Sequence, residues 1–300
     1  MKPIAKVYTA LLFLFLFAPI LIMLVFSFNS GNSLSVLDGF SLYWYKELFH
    51  DEDTLGALRN TLILALVATL LGCIIGFVCG ILNTIPCAKT DPPVKRFFIK
   101  LIRVIVRIYV EVFRGTPMML QAVFIYYGLP YFTGNAVQWP SVWMAAILVV
   151  SINTGAYMAE SVRGGIISID PGQTEGAKAI GMTHVQTMTS VILPQALRNI
   201  MPQIGNNLII NIKDSCVLSV IGVAELLYKT KSAAGALYMN FETYTITMIV
   251  YFIMTFTCSR ILRWLENRMD GSDNYDLATT DTLAHTSGMY RYEEKKKEED

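Results

Sequence analysis

Charge is scarce in this chain of 300 residues: Asp, Glu, Lys and Arg make up 16% of it, against about 25% in ordinary soluble domains. With 54% hydrophobic residues and a mean hydropathy of +0.47, that shortage points to an integral membrane protein. The net charge of +1 lacks the basic excess that nucleic-acid binding draws on, so nucleic acid is not an expected partner. Cysteine is sparse and scattered: Cys73, Cys79, Cys87, Cys216 and Cys258 lie mostly inside apolar runs, without metal-ligand spacing. They read as small buried hydrophobes, not a disulfide framework. His50, His184 and His285 are isolated, so no metal site is expected. There is no GxxxxGK[ST] phosphate loop, no Ser-His-Asp set and no paired carboxylates at catalytic spacing. The chain is therefore not expected to be an enzyme or to hydrolyse ATP by itself.

What the chain does have is about six apolar runs near the roughly 20 helical residues a hydrocarbon core requires. They fall at Val7–Phe28, Thr61–Leu82, Thr116–Phe132, Ser141–Val162, Ile200–Ala224 and Tyr244–Trp264, predicting an all-α membrane fold. Lys2 and Lys6 precede the first run as in a signal peptide, but no small-x-small cleavage site follows Phe28, so a retained anchor is expected. Lys89, Lys95, Arg96, Lys100, Arg103 and Arg107 follow the second run, and Arg260, Arg263 and Arg268 end the last. If six helices alternate, these cations share one side with both termini, and the positive-inside rule makes that side cytoplasmic. Beyond Met269 the sequence is polar and ends in mixed charge, so residues 270–300 read as a disordered cytoplasmic tail.

Between the fourth and fifth runs lies a polar segment, QTEGAKAIGMTHVQTMTSVILPQALRNIMP, from Gln173 to Pro202. Asp170-Pro171 marks a turn, and Thr174 is placed to cap a short helix beginning near Glu175, whose carboxylate suits the N-terminal dipole. Ala177 and Ala179 favour helix, and Gly181 can end it in a left-handed conformation. A second short helix should kink or stop near Pro194. The order of Glu175, Gly176, Ala177, Gly181 and Leu193-Pro194 resembles the EAA loop of ATP-binding-cassette (ABC) importer permeases. Gly176 stands where that pattern has Ala, and Val191 where it has Ile. The resemblance implies that residues 168–199 form a helical hairpin docking onto a separate ATPase subunit.

Two further blocks stand out. In YVEVFRGTPMMLQAVFIYYGLP, Tyr109 to Pro130, Glu111 and Arg114 are three apart and can pair on a helix, while Gly115 and Pro117 should bend the chain and Thr116 satisfy freed backbone groups. Glu160, Arg163 and Gly164 repeat the Glu-x-x-Arg-Gly pattern; such pairs are expected to anchor helix ends at the headgroup level. In the fifth run Asn207, Asn211, Asp214, Ser215, Ser219 and Gly222 share one helical face, with Asn206 and Lys213 flanking it and Ile209 and Ile212 opposite. A polar stripe of this length should face a helix neighbour or an aqueous pathway. Asn207 and Asn211 suit either; Lys213 and Asp214 are candidates for a gate or its support. Asn153 is a weaker candidate, because Ser151, Thr154 and Gly155 could simply allow close packing.

Tyr109–Pro130 and SVIGVAELL are similar to permeases of the polar amino-acid uptake family, and the likeness runs from about Thr61 to Tyr275. It implies a type I ABC importer transmembrane subunit: a permease core over residues 61–269, preceded by a membrane helix and external connection over residues 1–60. It also implies a second permease chain, an ABC ATPase carrying ATP and Mg, and an extracytoplasmic solute-binding protein, with no cofactor in this chain. FLFAPILIMLVFSFN, GFSLYWYKELF and ALRNTL instead look like the start of polyamine (spermidine/putrescine) permeases. A polyamine importer is thus the alternative, and an ion-coupled secondary transporter using the Lys213-Asp214 pair a more distant one.

Overall fold

A computed structural model describes residues 36–88, 91–237 and 240–269, with short stretches among residues 8–31. The expected anchor at Val7–Phe28 lies partly outside the described residues, and the 270–300 tail entirely so. The described residues are almost wholly helical, apart from an isolated antiparallel bridge between Asn29 and Phe40. The helices are α1 (Tyr43–His50), α2 (Glu52–Thr84), α3 (Pro93–Gly115), α4 (Met118–Phe132), α5 (Val142–Ile167), α6 (Pro171–Ala179), α7 (His184–Ile221), α8 (Leu226–Leu237) and α9 (Asn240–Met269).

Among the described residues α2, α5 and a 23-residue part of α9 are each long and apolar enough to cross a bilayer. Helices α7 and α8, bent by 55° at their junction, are long and apolar enough to cross only when taken together, and α4 is a shorter apolar helix. With the N-terminal run this agrees with about six spans. Helix α2 starts nine residues before the expected Thr61 because Asp51 caps it, accepting from the Asp53 amide at 3.2 Å, and Glu52 and Asp53 sit favourably in its first turn.

The centre of the fold is the α2–α5 pair. Gly72, Gly76 and Gly80, four apart on α2, face Thr154, Met158 and Val162, four apart on α5. A Cβ on Gly72 would come within 2.7 Å of Thr154 and one on Gly80 within 2.6 Å of Val162, so only glycine allows this backbone approach. Where lipid is as apolar as the side chains, close packing of this kind is what holds helices together. Helix α7 lies across the pair. One buried cluster (Leu64, Val149, Val150, Leu218, Ile221) packs towards the α7–α8 junction, and a second (Met158, Val162, Ile192, Ala196, Ile200) towards α6.

Two expectations about helix ends change. Pro194 neither stops nor sharply breaks the chain: the turn Met188–Ile192 widens to a π-helix, and Pro194 falls within the first two positions of the α-helical stretch that follows. A proline there has no amide to lose from the ladder. The fifth span also ends before Ala224. The helix tightens to 3₁₀ over Ser215–Ile221 and stops at Gly222, whose φ of 86° is left-handed.

Candidate coupling loop and buried polar sites

Helix α6 begins at Pro171, not near Glu175, and its cap is Asp170, whose side chain accepts from the Gly172 amide at 2.7 Å. Thr174 is thus inside the helix. The other end is as expected. Gly181 takes φ 84°, its amide bonds Lys178 O at 3.0 Å, and the Met182 amide bonds Ala177 O at 3.1 Å. This is a Schellman closure, satisfying carbonyls that the helix end would otherwise leave free. Helix α7 opens with a capping box between Thr183 and Gln186, written in the sequence as Thr-x-x-Gln.

The loop presents itself outward. Glu175, Gly176, Lys178 and Ala179 are exposed while Ala177 is buried, and Ile180 and Val185 stand 79% and 68% exposed on either side of Gly181. Two apolar side chains this open, at the tip of a polar hairpin, suit a protein partner; motif order alone did not single them out. The two arms of the hairpin are tied to each other by Gln195 donating to Gln173 at 3.4 Å and Asn199 donating to Ser168 at 3.2 Å. Leu193 is half-buried and Pro194 exposed.

Glu111, Arg114, Glu160, Arg163 and Glu175 line one open cavity of about 930 Å³ between α3, α5 and α6. Glu160 and Arg163 form the expected ion pair, with a second contact from Arg163 Nε at 3.3 Å. Glu111 and Arg114 do not pair: the Arg114 guanidinium lies over the Tyr157 ring, 5.4 Å from its centroid, and Glu111 is exposed.

The break between α3 and α4 holds a network that the sequence only partly indicated. Thr116 Oγ1 donates to Val112 O at 2.8 Å. Gln121 Nε2 donates to Phe113 O and Thr116 O, both at 2.9 Å. Asn153 Nδ2 reaches Phe113 O at 3.2 Å and Gln121 Oε1 at 3.0 Å. The carbonyls freed by Gly115 and Pro117 are thereby bonded inside the bundle. Gln121 was hidden because a glutamine in an apolar run carries no periodic signal.

On α7 the polar face is inward. Asn207 Nδ2 bonds Met158 Sδ at 2.9 Å. Asn211 accepts from Thr154 Oγ1 at 3.1 Å and donates to Thr69 Oγ1 at 2.8 Å. Ser215 is fully buried and donates to Ile212 O at 2.9 Å. Asp214 is half-buried; Lys213, like Asn206, is exposed, and Lys213 and Asp214 make no ion pair. Ile212, expected on an outer face, is 1% exposed and packs with Ala65, Leu226 and Met254. At the α7–α8 junction Glu225, the acidic residue of SVIGVAELL, is fully buried. Its carboxylate accepts from the Leu227 and Tyr228 amides at 2.8 and 2.6 Å and from Tyr251 Oη at 2.9 Å.

These features define a polytopic helical membrane protein with an exposed polar hairpin between its fourth and fifth apolar runs. Residues 94–271 match the family described as binding-protein-dependent transport system inner membrane component, and the chain belongs to that family. It is 40% identical over 162 residues, 54% of this chain and 73% of the relative, to the glutamine transport system permease protein GlnP of Escherichia coli K12. It is 36% identical over 165 residues, 55% of this chain and 74% of the relative, to the arginine transport system permease protein ArtQ of Bacillus subtilis 168. Among solved structures, a chain of an amino acid ABC transporter crystallised with histidines superposes with a TM-score of 0.64 at 34% identity, covering 75% of this chain and 98% of that one.

Proposed function

We propose that this chain is the permease subunit of an ATP-driven, binding-protein-dependent importer for a polar amino acid, working with a second permease chain, an ABC ATPase and an extracytoplasmic solute-binding protein. The observation that carries the ATPase part is the α6 hairpin. It is a short helix closed at Gly181, with Ile180 and Val185 bare and Glu175 open to a partner. In this reading both termini and the hairpin are cytoplasmic, and nucleotide-driven movement of the ATPases is passed through α6 and the unbroken α7 to the bundle. Asn207 and Asn211 hold α7 on α5 and α2, and Ser215 is buried beside them, bonded to its own helix. Lys213 and Asp214, where the helix tightens, form the gate element. The names of the relatives support glutamine or a basic amino acid as cargo.

The test is uptake in vesicles carrying the chain with its ATPase and binding protein, supplied in turn with labelled glutamine, arginine, histidine, spermidine and putrescine. Uptake of an amino acid that needs ATP hydrolysis and survives an uncoupler is expected. Uptake of polyamines alone would transfer the cargo to the class suggested by the first sixty residues. Uptake that collapses with the uncoupler and persists without the ATPase would make the chain a secondary transporter.

A further inference from the structure

Helix α3 has three faces. At about 3.6 residues per turn, Arg96, Lys100, Arg103 and Arg107 fall within about 60° of one another and run for roughly 16 Å along it. Ile99 and Val106 are buried against the bundle on one flank of this row. On the other flank Phe97, Leu101, Val104 and Ile108 are 62%, 42%, 50% and 56% exposed. The cations thus occupy the boundary between protein and an uncovered apolar strip. A helix that lies at a bilayer interface has this pattern, with its apolar face among acyl chains and its cations level with the headgroups.

The row is also short of partners. From Asp91 to Glu111 there are five cations, Lys95, Arg96, Lys100, Arg103 and Arg107, and two carboxylates: Glu111, on the wall of the cavity that Arg103 and Arg107 also line, and Asp91. The Asp91 carboxylate is engaged by Lys95 Nζ at 2.7 Å and the Ala88 amide at 3.0 Å. Arg103 donates from one terminal nitrogen to Ile85 O. Its Nε and that of Arg96 are buried without a hydrogen-bond partner. Unbonded guanidinium nitrogens beneath a surface leave desolvation uncompensated. A phosphate diester supplies what they lack: acceptor oxygens matched to the guanidinium fork and a negative charge. Its acyl chains would lie on the strip beside them.

We propose that the Arg96–Arg107 row of α3 is a binding site for the phosphate headgroup of an anionic phospholipid, with the acyl chains against the exposed strip from Phe97 to Ile108. The inference rests on the membrane placement of the chain and not on what it transports. Its readout requires neither uptake nor the ATPase, so the two readings fail separately.

The experiment is native mass spectrometry of the full-length chain, delipidated in detergent and titrated with dioleoyl phosphatidylglycerol or dioleoyl phosphatidylcholine. Retention of phosphatidylglycerol over phosphatidylcholine is expected. R96Q with R103Q should weaken that retention by about ten- to thirtyfold, the effect of losing two surface cations. K95Q, off the row and already paired with Asp91, should retain the lipid like the unaltered chain. R96K with R103K, which keeps the charges and removes the Nε donors, decides the matter if the glutamine pair does not fold. An intermediate affinity supports a built site, whereas full affinity would reduce it to a diffuse positive field and overturn the proposal. Equal retention of both lipids would overturn it as well. Displacement of phosphatidylglycerol by millimolar inorganic phosphate would assign the row to a free anion instead.

Discussion

Asn211 and Thr69 are 142 positions apart in sequence, and their side chains meet at 2.8 Å in the buried interior. With its amide nitrogen donating to Thr69 and its amide oxygen accepting from Thr154, Asn211 bonds α7 to α2 and α5 at once. Asn211→Ala leaves both hydroxyls short of a partner, although Thr69 keeps its bond to Ala65 O. Bonds of this kind between membrane helices are worth about 0.6 kcal/mol on average and up to about 1.7. A fall of a few degrees in the detergent Tm is expected, with uptake per inserted molecule largely kept. A large loss of uptake at unchanged Tm would instead place Asn211 in the pathway.

Gly76 and Gly176 should respond in opposite ways. A Cβ on Gly76 runs into Met158, whereas nothing lies within 4 Å of one on Gly176. Gly76→Val should prevent stable insertion or lower the Tm strongly. Gly176→Ala, in an exposed helix interior, should be neutral or stabilise by about 0.5–1 kcal/mol. Comparing membrane yield and Tm of the two proteins checks both.

Coupling through the hairpin predicts a separation of assembly from transport. Gly181→Val forces a β-branched residue into φ 84°, where a left-handed conformation costs about 1–2 kcal/mol or more. It should abolish uptake while the protein still inserts. Glu175→Lys should do the same by reversing an exposed charge. Pull-down of the ATPase by Gly181→Val at full yield, with normal uptake, would contradict the coupling role.

The proposed orientation is checked by thiol labelling. A cysteine at Asp51 should react with an impermeant reagent in whole cells, and one at Thr183 only after the membrane is opened. Reaction of both from outside would break the arrangement.

Much of this was legible in the sequence. The apolar runs marked the third, fourth and sixth spans to within about five residues, whereas the second helix starts nine residues ahead of its run and the fifth stops short of its own. Gly181 announced its turn, because only a left-handed position ends a helix there so cheaply. Other features were invisible for definite reasons. Thr174 was preferred to Asp170 as a cap because Pro171 was read as turn rather than as first helical residue. Pro194 looked like a stop because periodicity contains no signal for a π turn that lets the helix continue. Glu111 and Arg114 have the right spacing for a pair, but Tyr157, brought in from α5, offers Arg114 a ring instead. Gln121 and Glu225 lie among apolar residues where periodicity marks no polar position; Asn153 and Tyr251 reach them from distant parts of the chain, while Glu225 also caps α8 locally through the Leu227 and Tyr228 amides.

The glycine ladder of α2 has a mechanical consequence. With Gly72, Gly76 and Gly80 seated over Thr154, Met158 and Val162, sliding by one residue in either direction would drive side chains into backbone. Such an interlocked pair behaves as one girder. Any change of shape in the subunit must carry α2 and α5 together and concentrate bending where the backbone is already interrupted, at Gly115–Pro117 and at Gly222. Pro202, inside α7, is a third such weak point, so flexing is expected at these places and not along α2 or α5.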